Sequence, residues 1–361
     1  MRRLRLATYN VEWMNALFDD TGRLRFDRNL SARHNVTRSE QLNALGQVFT
    51  ALDADGVMII EAPDTSDKRS TVTALERFAR HFGLRARKAI IGFASGTEQE
   101  IAFLYDPDRL TVTHSPQGTP APAHGATGAP RFDTGLRYDV KGDGVDELVT
   151  LSKPPLELLV QAGDQTLTVI GVHAKSKVPH GKVTPEAFRR ISIDNRRKQL
   201  AECHWLRQRA VGHLTAGHSL IVMGDFNDGP GIDQYEQVFG KSGVEVVMGL
   251  SEPAALHLTD PHARMALTQP IGLHPSSARF WLAPAQAYFE ALLDFIMVSP
   301  DLLAPGLMAP DLMAPDLLAT GLMAPGPKWR IWHPFNDPAI PQDLRDAILT
   351  ASDHFPVTLD L

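Results

Sequence analysis

From end to end the chain alternates short apolar, β-branched runs with longer segments whose apolar residues recur at helical spacing. That interleaving points to an α/β fold. The strand-like runs are Leu4–Val11, Gly56–Ile60, Glu100–Tyr105, Leu156–Gln161, Leu167–Val172, Ser219–Met223 and Leu292–Val298, each bounded by turn residues. Between them, Glu40–Leu52 sets Leu42, Leu45, Val48, Phe49 and Leu52 at helical spacing. Thr71–Phe82 and Pro185–Val211 read as further helices, the second with its proline suited to a first turn. Some neighbouring strands can pair as hairpins, and the whole, residues 1–361, reads as one domain.

Composition narrows the class. With 43% hydrophobic residues the chain can bury a sizeable core, which excludes disorder throughout. One cysteine, Cys203, excludes a disulfide scaffold or a thiolate zinc site; within the helix 185–211 it reads as a packing residue. No apolar run approaches the ~18–20 residues of a membrane span. Three arginines in Met1–Leu6 precede no apolar signal segment, so a cytoplasmic location is expected.

Lys and Arg number 36 against 42 Asp and Glu, a net charge of -6 that argues against a protein coating nucleic acid with its whole surface. The charge is segregated, however. Lys175, Lys177, Lys182, Arg189, Arg190, Arg196, Arg197 and Lys198 face only Glu186 and Asp194 within 175–198, whereas eight aspartates and three basic residues follow from Ser299 onward. The basic run reads equally as a solvated helix face or as a hold on a polyanion.

Two segments break the pattern. His114–Pro130 is rich in Pro, Gly, Ala and Thr and reads as a long surface loop. Residues 301–325 are five pentads, DLLAP, GLMAP, DLMAP, DLLAT and GLMAP, whose prolines block a continuous helix. They read as an expanded insertion; membrane or partner contact through their leucines and methionines is the lesser reading.

Polar residues gather where the apolar runs end. Asn10 and Glu12 close the first, Glu61 the second, and His173, Lys175 and Ser176 the Leu167–Val172 run. Gly224-Asp225-Phe226-Asn227 follows Ser219–Met223, Asp294 precedes Phe295–Val298, and Ser352-Asp353-His354 comes last. Strand ends are where ligands collect in α/β proteins. Taken alone, each has a plain structural reading: a strand-end Asn or Asp is more often a turn residue, and a histidine more often hydrogen-bonded structure. Asp294 after two leucines, however, needs a partner, and His354 supplies one. As a set, carboxylates and carboxamides without thiolates suit Mg²⁺ or Mn²⁺, while histidine, lysine and serine suit a phosphoryl group. That is the equipment of metal-assisted phosphoester hydrolysis.

These stretches resemble the endonuclease/exonuclease/phosphatase superfamily. The matching segments are Thr8-Tyr9-Asn10-Val11-Glu12-Trp13, Val57–Glu61, Gly171-Val172-His173-Ala174-Lys175-Ser176, Gly224-Asp225-Phe226-Asn227, Leu293-Asp294-Phe295-Ile296 and Ser352-Asp353-His354, in the family's order over nearly the whole chain. The resemblance implies a four-layered α/β sandwich, two central mixed sheets flanked by helices with the site at one end. It implies that Asn10, Glu61 and Asp353 sit at the metal and that Asp225 orients or activates water. Asn227 would hold water or phosphate, His173 and His354 would contact the scissile phosphate, and Asp294 would fix the tautomer of His354. Lys175 and Ser176 would lie near the phosphate. Ile60 stands where many relatives carry Gln, and the role of Glu12 is left open.

The expectation is a metal-dependent phosphoester hydrolase, first of all a nuclease with a DNA or RNA substrate and no stable protein partner. The alternative is a phosphatase or phospholipid phosphodiesterase of inositol-phosphate or sphingomyelin type; a non-catalytic binding module ranks last. The other twelve histidines, Glu252 and Asp260 read as surface or structural, and Trp205, Trp281, Trp329 and Trp332 as core, with stacking on bases the lesser reading.

Overall fold

Two pairs of parallel strands organise the molecule, one at the centre of each large sheet. The computed structural model describes residues 2–178, 184–230, 239–268, 274–282, 286–303 and 326–361. Its strands are β1 (Arg5–Asn10), β2 (Gly56–Ala62), β3 (Lys88–Ile91), β4 (Glu100–Tyr105), β5 (Leu110–His114), β6 (Gly135–Tyr138), β7 (Glu147–Thr150) and β8 (Leu156–Ala162). They continue with β9 (Gln165–His173), β10 (Leu220–Asp225), β11 (Ala278–Leu282), β12 (Ala287–Ala291), β13 (Asp294–Val298), β14 (Lys328–Ile331) and β15 (Val357–Asp360). The helices are α1 (Arg38–Leu52), α2 (Thr71–His81), α3 (Pro185–Thr215), α4 (Gly243–Met248), α5 (Pro261–Thr268) and α6 (Gln342–Ala351).

One sheet has the order β14-β15-β1-β2-β4-β3 and the other β13-β10-β9-β8-β5. β1 and β2 run parallel, as do β9 and β10, and every other neighbour is antiparallel. The sheets stack through Leu6, Met58, Ile60 and Phe103 of the first against Leu158, Val169, Ile221, Met223 and Ile296 of the second, all buried. Gly171 marks a close approach between the sheets, where an added Cβ would run into the Met58 side chain.

The outer faces are covered as well. Ala7, Tyr9, Val57 and Ile59 pack with α1, α2 and α6, and Ile170, Val172 and Val222 with α3 and α4. Burial on both faces explains why the central strands read as continuous apolar runs rather than alternating ones. Each fully buried Leu, Ile or Val contributes about 1.5–3 kcal/mol of transfer free energy. The result is the expected four-layered α/β sandwich, two mixed sheets between helical layers.

Helix boundaries follow local chemistry. Thr37 and Glu40 form a reciprocal capping box at α1, and Thr184 caps α3 just before Pro185. α3 runs four residues beyond the expected Val211, and the chain stops being helical just before Gly217, which takes a left-handed φ of 74°. The loop 115–130 lies over this helix, with Trp205 Nε1 donating to Pro130 O and Arg209 to the carbonyls of Ala129 and Pro130. The expected pentad insertion lies outside the described residues from 304 to 325, as does Lys182 of the basic run. No helix among the described residues is long and apolar enough to cross a membrane.

Two readings change. Trp205 and Trp332 are buried and Trp329 half-buried, but Trp281 is 53% exposed, on a hairpin outside both large sheets. Arg196 belongs to no solvated face, since it is fully buried and pairs with Asp228 at 2.5 Å. Asp260 takes the structural alternative, as a buried cap that accepts the N–H groups of His262, Ala263 and Ile296.

Candidate active site

The carboxyl ends of both parallel pairs meet at one end of the sandwich. Asn10 ends β1, Glu61 lies near the end of β2, His173 ends β9 and Asp225 ends β10. In the second sheet Asp225 stands opposite both His173 and Asp294 in register. The last segment, Ser352-Asp353-His354, is tied in by Ser352 Oγ donating to Asn10 O at 2.8 Å.

The backbone is strained here. Glu12, Trp13, Glu61 and Asn227 all have positive φ, 46°, 57°, 64° and 49°, which non-glycine residues rarely adopt. Glu61 forms a bulge between Ile60 and Ala62. Such strain costs on the order of 1–3 kcal/mol per residue and collects where side chains must be aimed. Gly224 has φ 144° and lies so close to Val172 that a Cβ would strike its backbone, so glycine is required just before Asp225.

Asp225 is fully enclosed. Oδ1 accepts Asn227 N–H at 2.7 Å, while Oδ2 accepts Nδ2 of Asn10 at 3.0 Å and Nδ2 of Asn227 at 3.2 Å. His173 Nε2 lies 3.8 Å from Glu61 Oε1 and 3.7 Å from Asp225 Oδ2. His354 Nδ1 donates to Asp294 Oδ2 at 2.8 Å, and its Nε2 lies 4.0 Å from Asp225 Oδ2 and 3.9 Å from Asp353 Oδ1. Asp294 also accepts Ser277 Oγ–H at 2.8 Å.

Burial separates the two histidines. Burial, with Lys153 and His354 nearby, pushes His173 well below its ordinary value, so it is neutral. Burial alone would do the same to His354, but Asp294, Asp225 and Asp353 carry it well above, so it is an imidazolium. Burial raises the Asp225 carboxyl to about 7, reinforced by Asp294 and opposed by His354. Glu61 is raised by burial as well, although Trp13 N–H donates to its Oε2 at 2.8 Å.

These groups line a cavity of about 280 Å³ with Lys175, Ser176 and Asn227. The structure therefore brings together nine of the ten residues singled out from the sequence as its lining, with Asp294 behind His354. Sequence reasoning missed Lys153, Ser152, Thr97 and Gln99 on the same wall. Lys153 sits just ahead of β8 and carries no motif signal. Glu12, whose role was left open, accepts Asp353 N–H at 2.8 Å and pairs with Arg33.

α3 holds the second sheet's end of the site. Gln199 Nε2 reaches the carbonyls of Lys175, Phe226 and Asn227 at 2.8, 3.1 and 3.0 Å, and Glu202 accepts Lys175 N–H at 2.8 Å. Two groupings could face a cation. Asp225, Asp294 and His354 present ligand atoms within 4.8 Å of one another, but His354 Nδ1 and Asp294 Oδ2 are already committed to each other. In the oxygen set of Glu61, Asn10 and Asp353, Asn10 Oδ1 accepts Glu12 N–H at 3.0 Å but keeps a second lone pair, and Glu61 leaves Oε1 without a hydrogen bond among the described residues. That set suits a hard divalent ion better.

Fold and site together define an α/β sandwich with an acidic, histidine-bearing pocket at the ends of its parallel strands. No family model matches the sequence, and no curated protein does. Solved structures do. The human Nocturnin catalytic domain with bound sulfate anion is 12% identical over 100% of this chain and 94% of its own, with TM-score 0.49. An endonuclease/exonuclease/phosphatase family protein from Bacteroides thetaiotaomicron is 13% identical over 99% and 96%, with TM-score 0.47. The 3′ phosphatase NExo from Neisseria, bound to product DNA hairpin, is 14% identical over 99% of both chains, with TM-score 0.46.

Proposed function

We propose that this protein is a metal-dependent phosphoester hydrolase and, within that class, a nuclease acting on DNA or RNA phosphodiesters. One observation carries the reading. A neutral histidine, His173, and an imidazolium, His354, from two separate segments lie within 4.0 Å of one oxygen of a buried carboxylate, Asp225 Oδ2, in a cavity that also holds Glu61, Lys153 and Lys175. Glu61, Asn10 and Asp353 would hold Mg²⁺ or Mn²⁺, which when bound supplies Lewis-acid stabilisation of phosphoryl charge.

The chain's own groups supply the rest. Asp225, raised by burial to about 7 and held by the amides of Asn10 and Asn227, orients the attacking water and takes its proton. His354, kept cationic and fixed by Asp294, donates from Nε2 to a phosphoryl oxygen. Neutral His173 donates or accepts at Nε2 beside it. Lys153, Lys175 and Ser176 hold the non-bridging oxygens. Exposed Arg189 and Arg190 favour a long polyanion over a small phosphoester.

The test is cleavage of plasmid DNA and of an RNA oligonucleotide by purified protein in Mg²⁺ or Mn²⁺. Cleavage that vanishes in EDTA and in Asp225→Ala, and weakens steeply with salt, is the expected result. Intact DNA and RNA under every metal condition, or full activity in both Asp225→Ala and His354→Ala, would overturn it.

A further inference from the structure

The β11–β12 hairpin grows directly out of the pocket wall. Ser277, one residue before it, bonds Asp294, and Phe355 N–H donates back to Ser277 O at 2.6 Å. Ala278 forms a bridge with His354, and Arg279 N–H donates to Asp353 O at 2.7 Å. From that base the pleat sorts the side chains. Arg279 pairs with Glu290 and Trp281 with Tyr288 across the hairpin, so these four share one face. Phe280, Leu282, Ala287 and Phe289 take the other, where Phe280 packs against Ala278, Ala291 and Leu293.

The first face is an aromatic surface with a cation set into it. The rings of Trp281 and Tyr288 lie 5.1 Å apart at 70°. The Arg279 guanidinium carbon sits 3.9 Å from the Tyr288 ring centre and 4.8 Å from that of Phe335, and its Nε lies 3.5 Å from Glu290. Trp281, Tyr288 and Phe335 are 53, 58 and 51% exposed, so three rings that folding could have buried stay in solvent beside the site.

We propose that this face is a base-stacking platform, holding unpaired nucleotides of a single-stranded nucleic acid next to the phosphate in the pocket; the proposal rests on the nuclease reading of that pocket. Ring faces accept any base, at about 1–3 kcal/mol per stacked base, and the adjoining cation suits the backbone between them. The platform is continuous with the pocket through residues 277–279 and 353–355, so a strand with a phosphate at Asp225 has its neighbouring bases within reach of the rings. A lipid surface fits less well. Among the described residues this face carries no aliphatic side chain, and Glu290 would have to be stripped of water there.

The experiment measures fluorescence anisotropy of a fluorescein-labelled oligodeoxythymidylate in EDTA, so that binding is read without cleavage. Trp281→Ala/Tyr288→Ala should weaken binding about 10–100-fold, while Trp281→Phe/Tyr288→Phe, which keeps the rings, should stay within about threefold. Equal affinity of the alanine pair and the wild type would overturn the platform. So would wild-type binding to phosphatidylcholine–phosphatidylglycerol vesicles, lost in the alanine pair, with no oligonucleotide binding. The nuclease reading fails separately: ring-dependent binding with no cleavage in Mg²⁺ or Mn²⁺ sinks it and leaves the platform, whereas cleavage with ring-independent binding does the reverse.

Discussion

The two ends of the sandwich both collect buried carboxylates, and they treat them in opposite ways. At the end away from the pocket, Asp53, Asp55, Asp106 and Asp108 meet Arg2, Arg85, Arg87 and Arg109 in a continuous ion-pair network, and the separate Arg5–Asp360 pair adjoins it through Arg5 N–H donating to Asp55 at 2.8 Å. Asp55 is fully buried, and both Arg85 and Arg109 reach it. At the pocket end, Glu61, Asp225, Asp294 and Asp353 meet histidine rings instead of guanidinium groups among the described residues. Guanidinium pairing uses up the charge and the lone pairs of an acid. Leaving those acids without it keeps both for a ligand, at a cost in stability. The acids at one end hold the sheet; those at the other are held in readiness.

Exchanging one acid from each end tests that contrast. The largest effect belongs to Asp225→Asn, which keeps the shape and removes the charge: metal-dependent cleavage should fall about 10²–10⁴-fold with an unchanged circular-dichroism spectrum. Asp55→Asn should leave turnover per folded molecule at the wild-type level. If the two substitutions reduced turnover alike, the division between holding and reacting acids would collapse.

Stability should rank them the other way. Asp55→Ala strands Arg109 and takes one of three acids from Arg85, each arginine about a third exposed on its side chain. The loss should be roughly 1–3 kcal/mol in urea unfolding, below the roughly 3–5 kcal/mol of a wholly buried pair. A midpoint equal to wild type would mean that the network is surface decoration. Glu61→Gln should move in the opposite direction. Burial holds the Glu61 carboxyl above its ordinary range, so its ionised form is penalised in the folded state. In EDTA the variant should be more stable by up to about 1 kcal/mol, and added Mg²⁺ should raise the melting temperature of wild type but much less that of the variant.

The same division explains what the sequence disclosed. Chemistry at a strand end needs particular residue types, so Asn10, Glu61, His173, Asp225 and His354 stood out as polar breaks at the ends of apolar runs. The central strands were legible because burial on both faces makes them continuous. The strands β3, β6, β7 and β14 are four residues long, too short for a period of two to declare itself. Lys153 lies between a hairpin and β8 in a Ser-Lys-Pro-Pro turn, and only the folded chain brings it to Glu61. Arg196 looked like part of a basic helix face because its partner, Asp228, is 32 residues away and past another strand. Trp281 misled for a related reason: an aromatic strand reads the same whether it joins a sheet or stands off as a hairpin.

The smallest effect lies behind the pocket, at Glu202, a buried acid that meets no guanidinium among the described residues and accepts Lys175 N–H. Burial raises its carboxyl above the ordinary 4.5, with Lys175, Lys198 and Lys153 opposing. A raised carboxyl binds its proton more tightly when folded. Its contribution to stability is therefore greatest below pH 4.5 and is lost as the pH climbs through the folded-state value. Glu202→Gln keeps an oxygen for Lys175 N–H and has no proton to lose. Urea midpoints from pH 4 to 8 should therefore show the variant gaining on wild type as pH rises, by on the order of 0.5–1 kcal/mol, and then levelling off. A gap that shrinks with rising pH would mean that the lysines outweigh burial, and that Glu202 belongs with the balanced acids of the far end.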